Sequence, residues 1–228
     1  MRMALVNGLA APQQINSDFS PRLFLLYQKI AWAEFGFSPA FLFIPLAAVF
    51  LFFMFRPGKQ AFVLFSTGFS ITAAELFLLF SFEIRFGTLY YAMGLLFTLF
   101  CAGLALGCKA GSRNTRLNPF AVDCLMILSI AGSLAIMAQP LRFCIAPLLF
   151  IQACLAGYQF ASVLKDHQGP FAQLYGADLI GGAMGALVFG VLLFPLFGAA
   201  GAVLTLVGVK ILSLYHSVAL TARTAHLV

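Results

Sequence analysis

Long apolar runs alternate with short polar joints along almost the whole chain. The runs fall at residues 39–56, 61–84, 87–108, 119–138, 141–164, 172–195 and 199–220. A helix needs roughly 20 apolar residues to cross about 30 Å of hydrocarbon, so each run predicts a transmembrane helix. The joints carry helix breakers and charge: Arg56-Pro57-Gly58-Lys59, Arg85-Phe86-Gly87, Lys109 to Asn118, Gln139-Pro140, Lys165 to Pro170, and Pro195 to Gly198. The last joint is so short that the final two spans should form a tight helical hairpin. The first span is the shortest and contains Pro45.

Residues 1–20 read as a polar tail and 21–38 as an interfacial helix. In RLFLLYQKIAWAEF (22–35), Arg22 and Lys29 fall on nearly one side of a helix, and Leu23, Leu26, Ile30 and Ala33 on another. Tyr27 and Trp32 suit the headgroup region. Residues 39–220 then form the transmembrane domain and 221–228 a short C-terminal tail. The predicted fold is an all-α polytopic membrane bundle of about seven transmembrane helices, preceded by an interfacial amphipathic helix.

Composition strengthens this picture. Hydrophobic residues make up 62% of the 228 and charged residues 9%, against about 25% charged in a soluble domain. So little charge cannot cover a water-facing surface. The net charge of +6 contains no long basic run, which excludes nucleic acid as a partner and leaves the lipid bilayer. Orientation follows from Lys and Arg in short loops. With the N-terminus outside, the inner loops hold Arg56, Lys59, Lys109, Arg113, Arg116, Lys165 and Arg223; the outer loops hold Arg85 and Arg142, and the tail holds Arg2, Arg22 and Lys29. The bias favours N-out and C-in, in a bacterial inner membrane.

The five cysteines, Cys101, Cys108, Cys124, Cys144 and Cys154, form no C-x-x-C pair and read as small buried hydrophobes. His167, His216 and His226 fall at loops or helix ends, which argues against an intramembrane bis-His haem. No cofactor or metal is expected. Residues 1–20 lack the continuous apolar core of a cleavable signal.

Four charged residues fall well inside the spans: Glu75, Asp123, Asp178 and Lys210. Asp123 is close enough to the start of its span to reach the interface. At ~1.5 Å rise per residue, Asp178 lies roughly 9 Å and Lys210 roughly 14 Å from the inner ends of their spans. A lysine stem covers that difference. The expected arrangement is an Asp178–Lys210 ion pair, joined by Glu75 if the second span lies beside the hairpin. The competing readings are a Lys210 that snorkels to the interface and an Asp178 that caps backbone or binds a tyrosine hydroxyl. Glu75, in TAAELFLLFSFEI (72–84), stands either as a structural acid or as one handling a proton or ligand. Small residues form two packing motifs, Gly181, Gly182 and Gly185 in the sixth span and Gly103 and Gly107 in the third. Such residues let helix backbones approach closely. Both motifs serve either packing within the chain or a homodimer.

Taken together, these stretches resemble a known family. STGFSITAAELFLLFSFEIRFGTLYYAMGLLFTLFCAGLALG (66–107) resembles the membrane segment of spermidine-synthase-like multipass proteins, of the fused transporter/aminopropyltransferase type. LYGADLIGGAMGALVFGVLLFPLFG (174–198) is similar to a later pattern of that family, through Tyr175, Asp178, Leu179, Gly182, Pro195 and Gly198. AGYQF (156–160) resembles a segment preceding it, and INSDFSPRLFLLY (15–27) the junction between the soluble and membrane halves. The resemblance implies the C-terminal membrane half of such a protein and adds Tyr175 to the candidate ligand residues. The family's catalytic domain is not expected within this chain, because no G-x-G-x-x-G loop follows a strand.

Three classes of function follow. The first is a membrane subunit or anchor that assembles with a partner protein chain and is not catalytic by itself. The second is a transporter-like domain for a small cationic or amphipathic ligand, using Glu75, Asp178 and Lys210. The third, a membrane enzyme, lacks any nucleophile–base pair or metal cluster, so no catalytic residue is named.

Overall fold

The computed structural model describes residues 22–34, 36, 40–55, 58–87, 89–113, 117–137, 143–165, 167 and 169–225. The expected polar tail and parts of several joints, including Gln139-Pro140, lie outside them. The described residues are all-helical. In chain order the helices are α1 (Arg22–Glu34), α2 (Ala40–Phe55), α3 (Lys59–Phe86), α4 (Leu89–Arg113), α5 (Pro119–Gly132), α6 (Ile145–Lys165), α7 (Phe171–Val188) and α8 (Phe194–Ala225). A 3₁₀ turn, Ser133–Met137, extends α5, and a π-turn, Phe189–Leu193, joins α7 to α8.

Five described stretches are long and apolar enough to cross a membrane: Lys59–Phe86, Ala92–Arg113, Pro119–Ile136, Ile145–Lys165 and Phe171–Ser217. This differs from the seven runs read in the sequence for two reasons. Helix α2 has 16 residues with Pro45 inside it, short of a full span. The last two runs also merge into one 47-residue stretch, which as a straight rod would be about 70 Å long.

That stretch is not a straight rod, because Gly198 stands at φ 66°, ψ −174°, a backbone region that is essentially glycine-only. Before Gly198, α7 runs alongside α3 in the same direction: Gly181 meets Phe65 and Gly185 meets Phe69. After it, α8 runs back along α3. Lys210 reaches Thr67, and His216 lies over Phe62 at 4.6 Å between ring centres. Pro119 opens α5, where its missing N–H costs nothing. Gly87, at φ 63°, closes α3 and donates its N–H to Glu83 at 2.8 Å, a left-handed helix stop.

Helix α3 is the axis of the molecule. Of its most apolar window 83% is buried, against 17% for α4. Phe53 of α2 stacks on Phe65 at 4.5 Å, and Phe77 meets Phe189 edge-on at 6.5 Å. In lipid such rings gain little by leaving an environment already apolar, so close packing must hold the helices together. Two parallel pairs supply it. Along α4, Gly103, Gly107 and Gly111 lie against α6 at Ala153, Cys154, Tyr158 and Ala161, and Gly157 of α6 answers at Leu104. Along α7, Gly181 and Gly185 lie on the α3 backbone and Gly182 faces the Thr72 hydroxyl. Both glycine motifs are thus occupied by contacts within one chain.

Candidate functional site

Where α3, α5, α6 and α8 converge, the core is polar. Lys210 of α8 and Asp123 of α5 are both 0% exposed, and Lys210 Nζ lies 2.5 Å from Asp123 Oδ1. The local sequences explain how they come together. Lys210, Ser213 and Ser217 are spaced i, i+3, i+7 and share one face of α8. Thr67 of α3 and Gln159 of α6 are buried polar positions facing the same point.

Each polar atom at the centre has its partners. Lys210 Nζ donates to Asp123 Oδ1, to Thr67 Oγ1 at 2.9 Å and to Gln159 Oε1 at 3.2 Å. An ammonium has three protons, so none is left over. Asp123 Oδ1 also accepts from Gln159 Nε2 at 2.9 Å. Asp123 Oδ2 accepts from Ser213 at 3.3 Å and from Ser217. A carboxylate has about four lone-pair sites, and four donors fill them. The Thr67 hydroxyl lies 2.5 Å from Gln159 Oε1 and 2.7 Å from the Val63 carbonyl. The cluster is charge-balanced and saturated, which is the condition under which attraction and hydrogen bonds can offset the desolvation penalty of a buried ion pair.

Its depth follows from the helix ends. Thr67 lies eight residues beyond Lys59, about 12 Å, and Gln159 six residues before Lys165, about 9 Å. Helices α3, α5 and α7 begin at this end, and α4 and α6 finish there. Exposed Lys59, Lys109, Arg113 and Lys165 mark the same end. Further in, Gln152 Nε2 donates to the Ser129 carbonyl at 3.2 Å and to Ser133 Oγ at 3.1 Å. Gln152 and Gln159 are seven residues apart, so one face of α6 clasps α5 twice.

The expected Asp178–Lys210 ion pair does not form; Lys210 is bound to Asp123 instead. The reason lies in the faces of α3. Asp178 packs at Gly68, with its Oδ1 3.0 Å from where a Gly68 Cβ would stand. Lys210 bonds to Thr67, the preceding residue. Consecutive helix residues point about 100° apart, so α7 and α8 flank different sides of α3 although a short turn joins them. No hydrogen bond joins Asp178 to Lys210, whose partners are Asp123, Thr67 and Gln159. Nor does Lys210 snorkel to the interface.

The other candidates are dispersed. Glu75 is 8% exposed and lies on the α7 side of α3, away from Lys210. Tyr175 is 45% exposed; its ring stacks on Phe171 at 5.6 Å and meets Phe160 edge-on at 6.4 Å. Asp123, four residues into α5, is fully buried. Thr67, Gln159, Ser213 and Ser217 were not legible as site residues, although the Lys210–Ser213–Ser217 stripe was a usable signal. No family model, characterised protein or solved structure matches this chain.

Proposed function

We propose that the chain is a membrane-embedded subunit or anchor domain that assembles with a partner protein and has no catalytic role by itself. One observation carries this reading: Lys210 is committed to Asp123 in a saturated network. The transporter-like alternative needs Lys210, Asp178 and Glu75 around one ligand. Instead, the lysine fastens four helices together, as suits a rigid scaffold. The resemblance to the membrane half of spermidine-synthase-like proteins points the same way, because in that family the membrane segment accompanies a soluble domain.

In this reading the chain crosses the inner membrane seven times, with α2 tilted or thinning its surroundings and α7 and α8 counted as two passes about Gly198. Helix α1 lies at the headgroups and its first six residues belong to the junction-like stretch 15–27. The basic helix ends at Lys59, Lys109, Arg113 and Lys165 face the cytoplasm, which leaves the N-terminus outside. The test is native mass spectrometry of the complex purified in mild detergent. A stoichiometric second protein that is lost on deleting residues 1–36, with the bundle still folded, is the expected result. A chain isolated only as a monomer or homodimer would contradict it.

A further inference from the structure

The described polar core leaves one buried acid unanswered. Glu75 is more than nine-tenths buried, and among the described residues it has no hydrogen bond, ion pair or charged neighbour. Its position on α3 is set by its helical neighbours. Gly68 and Thr72, seven and three residues earlier, lie against α7 at Asp178 and Gly182. Ile71, four residues earlier, packs with Val122, Met126 and Ala156 of α5 and α6. Glu75 therefore lies along the seam between α7 and the α4–α5–α6 group.

The titratable groups around this seam are each engaged elsewhere or too far away. Asp178 of α7 sits at Gly68, about 10 Å nearer the basic end. Cys108 of α4 packs at Gly157 of α6, near the basic end where α4 finishes. Asp123 and Lys210 neutralise each other across α3. On α3 itself, Glu83 and Arg85 lie about 12 Å or more towards the opposite end.

An ionised carboxylate in this position would be an uncompensated charge at membrane depth, which costs several kcal/mol. Two neutral states remain, a bound metal cation or a bound proton. A cation stripped of water needs several oxygen ligands, and among the described residues no group of three or more His, Cys, Asp or Glu side chains stands together to supply them. We propose that Glu75 is a reversible proton-binding site, holding a proton while the α3–α7 seam is closed and exchanging it when the seam admits water. The site is separate from the saturated Lys210 network.

The probe is a lipophilic carbodiimide, dicyclohexylcarbodiimide, applied to the full chain in lipid nanodiscs. The carboxyl proton moves to a carbodiimide nitrogen while the carboxyl oxygen bonds to the central carbon. The acyl group of that O-acylisourea then shifts to nitrogen, giving a stable N-acylurea with nothing lost. The expected result is an adduct on the Glu75 peptide, at least tenfold above Asp123 and falling as pH is raised. Infrared difference spectra give a second measurement that needs no reagent access. A protonated-carboxyl C=O band should disappear on alkalinisation, return on acidification and be missing in Glu75→Gln. If Glu75→Gln does not fold, Glu75→Asp should shift the band instead. Absence of both the adduct and the band overturns the proposal, as does a Glu75 band that persists at every pH the fold survives.

Discussion

Lys210 and Asp123, 87 residues apart in the chain, meet at 2.5 Å in a space closed to solvent. Their contact joins the last helix to the middle of the bundle, and Thr67 and Gln159 bring in two further helices. What holds this helical bundle at its polar centre is therefore a saturated charge pair, while glycine seams hold its flanks.

The first prediction concerns which acid serves Lys210. Asp123→Asn should destabilise the bundle by roughly 3–5 kcal/mol, the cost of stranding a buried charge. Asp178→Asn should cost less than about 1 kcal/mol, because Asp178 makes no hydrogen bond to Lys210 and no described cation touches it. Chemical unfolding in mixed micelles, followed by circular dichroism, compares the two directly.

Gln159 bridges both charges and the Thr67 hydroxyl. Gln159→Leu removes one donor to Asp123 and one acceptor for Lys210, leaving each partner short by one bond. A loss of about 1–3 kcal/mol is expected, measured by the same unfolding assay.

The glycine seams make a prediction with a built-in control. A Cβ at Gly107 would run into the Cys154 carbonyl, whereas one at Gly94 meets nothing within 4 Å. Gly107→Val should force α4 and α6 apart at a cost of roughly 1–3 kcal/mol. Gly94→Ala should leave the thermal midpoint unchanged. Equal effects would mean that the close α4–α6 approach is wrong.

Gly198→Ala tests the reversal at the start of α8, which turns the chain back along α3. At φ 66°, ψ −174° an alanine is strained by about 1–3 kcal/mol. The variant should melt earlier, and cysteine crosslinks between α8 and the start of α3 should form more slowly.

The helical spans and several of their stops were readable because both rest on local chemistry. Unbroken apolar runs permit only backbone-satisfied helices in lipid, and Gly87 and Gly198 mark turns by the backbone angles they adopt. The partner of Lys210 was not readable in this way. Its depth along the helix was legible from residue counting, but its direction depends on α3, which separates Asp178 from Lys210 by one residue step around its axis. Asp123 was legible as a residue near the start of its span, but the partners that enclose it there were not. In the fold, Ser213 and Ser217 of α8 extend past it and seal it. Glu75 was legible as an anomalous acid; that it stands apart from the other charges emerged only from the packing.

The most direct measurement is a double-mutant cycle between Lys210 and Asp123, using Lys210→Met and Asp123→Leu singly and together, with unfolding free energies read in mixed micelles. If the pair neutralises itself, each single change is destabilising by roughly 3–5 kcal/mol and the double variant recovers most of that loss. Additive losses in the double variant would contradict the pairing.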